Sequence, residues 1–154
     1  MTAAQLAALL KPEAIALNVQ ARQKIPALRE ITALLATNTA VSNLENFSQE
    51  ILAREREGNT ALGHAIAMPH ARTEQCRSIV IAVGRSANGI DYQAPDGRPV
   101  NLVFLIGTPK PQVTEYLRVV GTLARILSND AVRCQLLSAP DATQFIAAIS
   151  GVKE

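Results

Sequence analysis

The run Val100 to Ile106 (VNLVFLI) is continuously apolar apart from Asn101. A strand with one wet face alternates polar and apolar residues, so a run like this one has to be buried on both faces. It therefore needs a layer on each side, and helical patterns lie on both sides of it in sequence. The expectation is an α/β fold: a single domain over residues 1–154 with a small mixed central sheet flanked by helices on both sides. The length suits one domain with a full core. With three Phe, two Tyr and no Trp, that core has to be built from Leu, Ile, Val and Ala.

The remaining elements follow from periodicity and punctuation. Thr2 caps a short helix through about Leu10, which Pro12 stops. Ala14 to Val19 alternates loosely and reads as a strand. Lys24 to Thr37 carries Ile25, Leu28, Ile31, Leu34 and Leu35 at helical spacing, with Pro26 in the first turn. Ser42 and Glu45 have the form of a capping box for a helix with Leu44, Phe47, Ile51 and Leu52 on its apolar face, ending near Gly58. Ala61 to Met68 is too small and glycine-broken for a helix, and reads as an extended segment leading to a turn at Pro69-His70. Ser78 to Val83 reads as a strand, Asn88-Gly89 and Pro95-Asp96-Gly97 as turns, and Thr108 to Pro111 as a loop. Helices are expected over Gln112 to Leu127, from Asn129 or Asp130 to Leu137, and from Pro140 or Asp141 to Ile149.

Composition excludes several functions. The formal net charge is +2, spread along the chain, with no aromatic residues interleaved among basic ones, so no nucleic-acid partner is expected. No apolar run approaches the ~18 residues of a membrane span, so no direct membrane insertion is expected. The start MTAAQLAALLKPE lacks the basic, then apolar pattern of a signal peptide, and the expected location is cytoplasmic. Cys76 and Cys134 form neither a CxxC pair nor a metal-ligand spacing with His, so two reduced thiols and no metal are expected. Nucleotide-binding glycine loops, the GxSxG elbow and the HExxH motif are all absent, and no cofactor is expected.

Chemistry concentrates in Arg54 to Arg72 (REREGNTALGHAIAMPHAR), which holds both histidines, His64 and His70. Neutral imidazole is nucleophilic near neutral pH because its ordinary pKa is about 6.5. Phosphoryl transfer asks mainly for positioning and for positive charge around the transferring oxygens. Arg54, Arg56 and Arg72 are at hand for the charge, and Ala67 and Ala71 leave room for a partner. On pattern alone, His70 is either a phosphoryl-accepting nucleophile or a plain surface histidine. The Arg54-Glu55-Arg56-Glu57 run otherwise reads as a solvated helix end.

The stretch resembles the enzyme IIA type-2 domain of the bacterial phosphoenolpyruvate:sugar phosphotransferase system, the fructose/mannitol/nitrogen-regulatory class. That family shows a run like RExxGSTGIGxGIAIPHxR. Ile90 to Phe104 (IDYQAPDGRPVNLVF) resembles its IxFxAPDGxPVxLVF, and the likeness covers nearly the whole chain. The resemblance implies phosphoryl transfer from the phosphocarrier HPr, or a nitrogen-branch counterpart, onto His70. It assigns Arg54 to stabilising phosphoryl charge and matches Thr60 to the family's Ser-Thr pair. It also implies a downstream protein target or a sugar-transport component, with a free-standing nitrogen-regulatory domain the nearer of the two.

The chain departs from the family at three positions. A second histidine, usually in a His-Leu pair, is replaced in Tyr116-Leu117. A phenol with a pKa near 10 stays neutral, so it offers a hydrogen bond of about 1 kcal/mol where a charged one gives ~1.5–3 kcal/mol. A loss of ~1 kcal/mol is about tenfold or less in rate, which implies slower transfer and not an inert protein. His64 stands where a small polar residue is usual. Its recruitment as the missing second histidine needs the chain to turn, because six extended residues span ~20 Å. Asn59 replaces a serine, which removes a small hydroxyl. The alternative reading is a degenerate, unphosphorylated member that binds a regulatory partner.

Overall fold

The computed structural model describes residues 1–153. In chain order its elements are α1 (Ala3–Ala7), β1 (Ile15–Ala16), α2 (Lys24–Thr32), α3 (Leu44–Glu57), β2 (Ala61–Gly63), β3 (Ile66–Ala67), β4 (His70–Thr73), β5 (Val80–Ile90), β6 (Val100–Pro109), α4 (Val113–Leu127), α5 (Asp130–Ser138) and α6 (Ala142–Ser150). They make a single α/β domain with a mixed sheet in the order β1-β5-β6-β3-β2, and β4 also pairs with β6.

Strand β6 is the expected doubly buried strand, and its alternate residues feed two separate cores. Leu102, Phe104 and Ile106 join the cluster that also holds residues of α1, α4, α5 and α6. Val103 and Leu105 join the opposite cluster, with Leu28 and Ile31 of α2 and Phe47 and Ile51 of α3. β6 pairs antiparallel with β5 along one edge and parallel with β3 and β4 along the other.

Several boundaries differ from the sequence expectation, each for a local reason. Only Ile15 and Ala16 of the Ala14–Val19 run form a strand: Ala14 closes a 3₁₀ turn, Val19 keeps a single bond to Arg85 O at 2.9 Å, and the Glu30 carboxylate then takes the Gln20 and Ala21 amides. The second helix tightens into a 3₁₀ turn at Ala33–Leu35, just after the Thr32 hydroxyl bonds back to Leu28 O at 2.7 Å, a contact that bends helices. Ser42 does not form the capping box. Its amide and hydroxyl both bond to Gln75 O, and Asn43 caps α3 instead, accepting from Asn46 N at 3.0 Å. Strand β5 runs through Asn88-Gly89 as an irregularity in pairing, with Gly89 at φ 87° and its amide on the Ser86 hydroxyl. Thr108 and Pro109 belong to β6 and not to a loop.

The Ala61–Met68 segment is a hairpin. Gly63 pairs with Ile66 across a tight turn in which His64 and Ala65 have φ of 54° and 63°. Two successive positive φ values make a primed turn, whose twist matches that of paired strands.

Two glycines separate packing from propensity. A Cβ on Gly84 of β5 would lie 2.5 Å from Ile31 Cδ1 and 2.9 Å from Val19 Cγ2, whereas one on Gly121 of α4 meets nothing within 4 Å. Gly84→Val is expected to lower unfolding free energy by about 1–3 kcal/mol. Gly121→Ala should raise it by about 0.5–1 kcal/mol. Urea denaturation of the two variants measures both.

Candidate active site

His70 is placed by an interrupted strand. Ile66 lies opposite Leu102 and His70 opposite Ile106, so β3 and β4 hold one register against β6. Pro69 lacks an N–H and breaks the ladder between them, although its carbonyl still accepts from Ile106 N at 2.9 Å. Met68 turns its amide to Thr60 O at 3.0 Å, and its own carbonyl lies 3.0 Å from His70 Nδ1. A carbonyl only accepts, so Nδ1 carries the hydrogen and Nε2 keeps the free lone pair. His70 is therefore the first residue of a strand, not part of a turn.

The environment keeps this imidazole neutral. Burial lowers its pKa below the ordinary 6.5, the Met68 carbonyl pulls the other way, the Arg54 charge lowers it further and Glu55 raises it. The net shift is downward, so at neutral pH the ring is an uncharged nucleophile.

Three further side chains converge on it. Tyr116, in the first turns of α4, stacks obliquely against His70 with ring centroids 5.4 Å apart and planes at 44°. Its phenol is pushed above its ordinary pKa by burial, while the Arg54 and Arg72 charges both pull it down, so it is a neutral hydrogen-bond donor. Arg54 reaches from the last turn of α3, its Nη1 donating to Gly58 O at 3.1 Å. Arg72 lies two residues along β4 from His70, hence on the same face of the sheet, and is exposed. A neutral imidazole thus lies against the Tyr116 ring and within the field of Arg54, with Arg72 on the same face of the sheet.

The remaining sequence candidates lie elsewhere. His64 is exposed at the tip of the β2–β3 hairpin, whose next residue, Ala65, accepts the amides of Asn101 and Leu102 at the start of β6. Leu102 and Ile106 are the β6 partners of Ile66 and His70, and four strand residues span roughly 13 Å. The chain does turn between the histidines, but it carries His64 away from the site. The Thr60 hydroxyl is buried and engaged, donating to Glu55 Oε2 at 2.5 Å and accepting from the Tyr92 hydroxyl at 2.8 Å.

The polar network behind the site was not legible in the sequence. Glu55 is buried, not part of a solvated helix end. Its carboxylate also accepts from Thr60 N at 3.1 Å and pairs with Lys24 Nζ at 3.2 Å, and Lys24 lies 5.0 Å over the Tyr92 ring. Asn59 clasps the same turn to the following loop: its amide nitrogen donates to Tyr92 O at 2.9 Å and Gln93 O at 3.0 Å, and its oxygen accepts from Ala61 N. An asparagine makes all three bonds where a serine cannot. The only sequence signal was Glu55 at the i−5 position from Thr60, which alternating charge concealed.

With this geometry in view, comparison with known proteins is decisive. A family model described as phosphoenolpyruvate-dependent sugar phosphotransferase system, EIIA 2, matches residues 8–152. The chain belongs to that family. The EIIA 2 chain is 33% identical over 138 residues to a nitrogen regulatory protein of Pseudomonas aeruginosa, covering 90% of each. It is also 33% identical over 131 residues to the fructose-specific EIIABC component of Bacillus subtilis, where it covers 85% of this chain and spans 21% of that relative. The crystal structure of nitrogen regulatory protein IIA-Ntr from Neisseria meningitidis superposes with a TM-score of 0.87 at 27% identity, covering 94% of this chain and 99% of that one. Among the described residues no helix is long and apolar enough to cross a membrane.

Replacing Glu55 with Ala would strand the Thr60 amide and the Lys24 ammonium and leave the Thr60 hydroxyl only its Tyr92 partner. The expected cost is about 3–5 kcal/mol of unfolding free energy. The exposed neighbour Glu57→Ala should stay within about 0.5 kcal/mol. Parallel thermal or urea unfolding of the two variants distinguishes the buried carboxylate from the solvated one.

Proposed function

We propose that this protein is a phosphoryl carrier that accepts a phosphoryl group on Nε2 of His70 from HPr or a nitrogen-branch counterpart and passes it on, or signals with it. The observation that carries the reading is the His70 Nδ1 contact with Met68 O at 3.0 Å, which leaves Nε2 as the nucleophile. The Nε2 lone pair attacks the donor's phosphorus. The new N–P bond forms as the donor's P–N bond breaks, and that electron pair returns to the donor nitrogen. Nδ1 keeps its hydrogen, so the phosphorylated His70 ring carries a positive charge, and a donor ring likewise protonated on its second nitrogen leaves as neutral imidazole with no proton transferred.

Arg54 and Arg72 offset the charge of the phosphoryl oxygens, which is the main demand of such a transfer. Tyr116 supplies one neutral hydrogen bond beside His70, weaker than a cation's by ~1 kcal/mol. That deficit slows transfer by about tenfold or less without abolishing it. The likeness to IIA-Ntr, at 27% identity, supports regulatory use over service to a particular sugar. His64 and Thr60 take supporting places in this reading, at the hairpin tip and in the turn. A cytoplasmic location fits the donor.

Incubation with a cognate donor system should add the mass of one phosphate to the wild-type chain and none to His70→Ala. Equal labelling of His70→Ala would sink the assignment. Wild type that stays unlabelled beside a labelled control would favour the alternative, an unphosphorylated partner-binding member, for which Tyr116 is the motivating residue. Tyr116→His should speed labelling by up to about tenfold.

The pH dependence has a definite sign. The nucleophile is the unprotonated ring, and the ring's pKa is lowered. Labelling should therefore decline on acidification with its midpoint below about 6.5, the ordinary histidine value. A decline centred above that value, measured with the donor's own titration subtracted, would contradict the site described.

A further inference from the structure

One buried hydroxyl has nothing to bond. Among the described residues, Thr108 Oγ1 is the buried side-chain polar atom without a hydrogen-bond partner. The buried threonines Thr32, Thr60, Thr73 and Thr122 bond to Leu28 O, Glu55, Glu50 and Arg118 O respectively. A helical threonine can bond back one turn, but the extended backbone of β6 gives Thr108 no such option. An orphaned hydroxyl is costly, so a buried threonine without a partner, where the other buried threonines just named each have one, asks for a reason.

Its position supplies one. Thr108 pairs directly with Arg72 across the β4–β6 ladder, and His70 pairs with Ile106 in the same register. Side chains two apart share a face, so Thr108 faces the same side as His70 and Arg72, the side covered by α4. It is the diagonal neighbour of His70, a spacing of ~7–8 Å in a sheet. On that face the His70 ring lies against Tyr116, with Arg72 and Thr108 paired across the next step of the ladder.

We infer that Thr108 is a phosphoryl-binding residue, whose hydroxyl donates to an oxygen of the group carried on His70 Nε2. This rests on the phosphoryl-carrier reading above. The hydroxyl keeps its proton as the N–P bond forms and breaks, so the transfer balances as already written. Thr108 and Tyr116 are then two neutral donors on a site where a charged one is usual, with Arg54 and Arg72 supplying the positive charge.

Thr108→Val preserves the shape and removes the hydroxyl, and Thr108→Ser keeps the hydroxyl. The measurements are the labelling rate, the lifetime of phosphohistidine after the donor is removed, and the thermal unfolding midpoint of the unphosphorylated chain. Thr108→Val should label or retain the phosphoryl group ~10–100-fold less well, the range for losing a hydrogen bond to a charged group. Its unfolding midpoint should be equal to or above that of wild type, since an unpaired buried hydroxyl has gone. Thr108→Ser should behave nearly as wild type in labelling. Labelling and lifetime unchanged in Thr108→Val would overturn the inference, and so would a loss that tracks a lowered midpoint or that serine does not restore. Wild type that takes up no phosphoryl group from an active donor removes the carrier reading itself, and this inference with it.

Discussion

Strand β6 is hydrogen-bonded along both edges and buried on both faces, and the rest of the molecule depends on that. Its backbone donors and acceptors can be satisfied only by neighbouring strands, because no water reaches them. β5 therefore has to return antiparallel along one edge and the β3–β4 segment has to lie along the other. The constraint is strict enough that β3 and β4 keep one register across the Pro69 break. The break frees the Met68 carbonyl to orient the His70 ring. Strand pairing, proline chemistry and nucleophile tautomer are thus successive consequences of one buried strand.

The electrostatics around His70 suit the carrier role proposed for it. Burial and Arg54 hold His70 neutral, while the Met68 carbonyl and Glu55 limit how far its basicity falls. A carrier has to accept a phosphoryl group and surrender it, so extreme stabilisation of either state works against it. On the proposed reading, two arginines and neutral hydroxyls would attract a phosphoryl group only moderately. The strongest charge pairing nearby, between Glu55 and Lys24, lies behind the turn and not within the site. Its carboxylate holds the Thr60 amide and hydroxyl, and Thr60 O in turn accepts from the Met68 amide. The family's turn sequence can therefore be read as a scaffold whose buried carboxylate fixes a main-chain acceptor.

How much was legible depended on whether a residue's role lay in local pattern or in long-range contact. The β6 run announced its own burial, and the helices α3 and α4 announced their apolar faces. His70, Arg54 and Tyr116 were singled out through motif position, and the structure places Tyr116 against the His70 ring and Arg54 within its field. Ser42 misled because its amide is taken by Gln75, 33 residues away, a contact no capping pattern encodes. Glu55 misled because alternating charges usually mark a wet surface. Here one of them turns inward to a lysine 31 residues earlier. Thr108 read as loop because two prolines follow it closely, yet β4 holds it in the sheet.

By itself the sequence singled out His70 only through a resemblance, but it determined the architecture class, the two-faced central strand and the helix faces. Those are matters of periodicity and of residue chemistry, which act over a few neighbours. The tertiary structure alone decided which ring nitrogen is free, which of the two histidines shares a site with Arg54, Arg72 and Tyr116, and which polar groups are buried with or without partners. Each of these is a relation between residues far apart in the chain. Burial and register set it, and a linear pattern records neither.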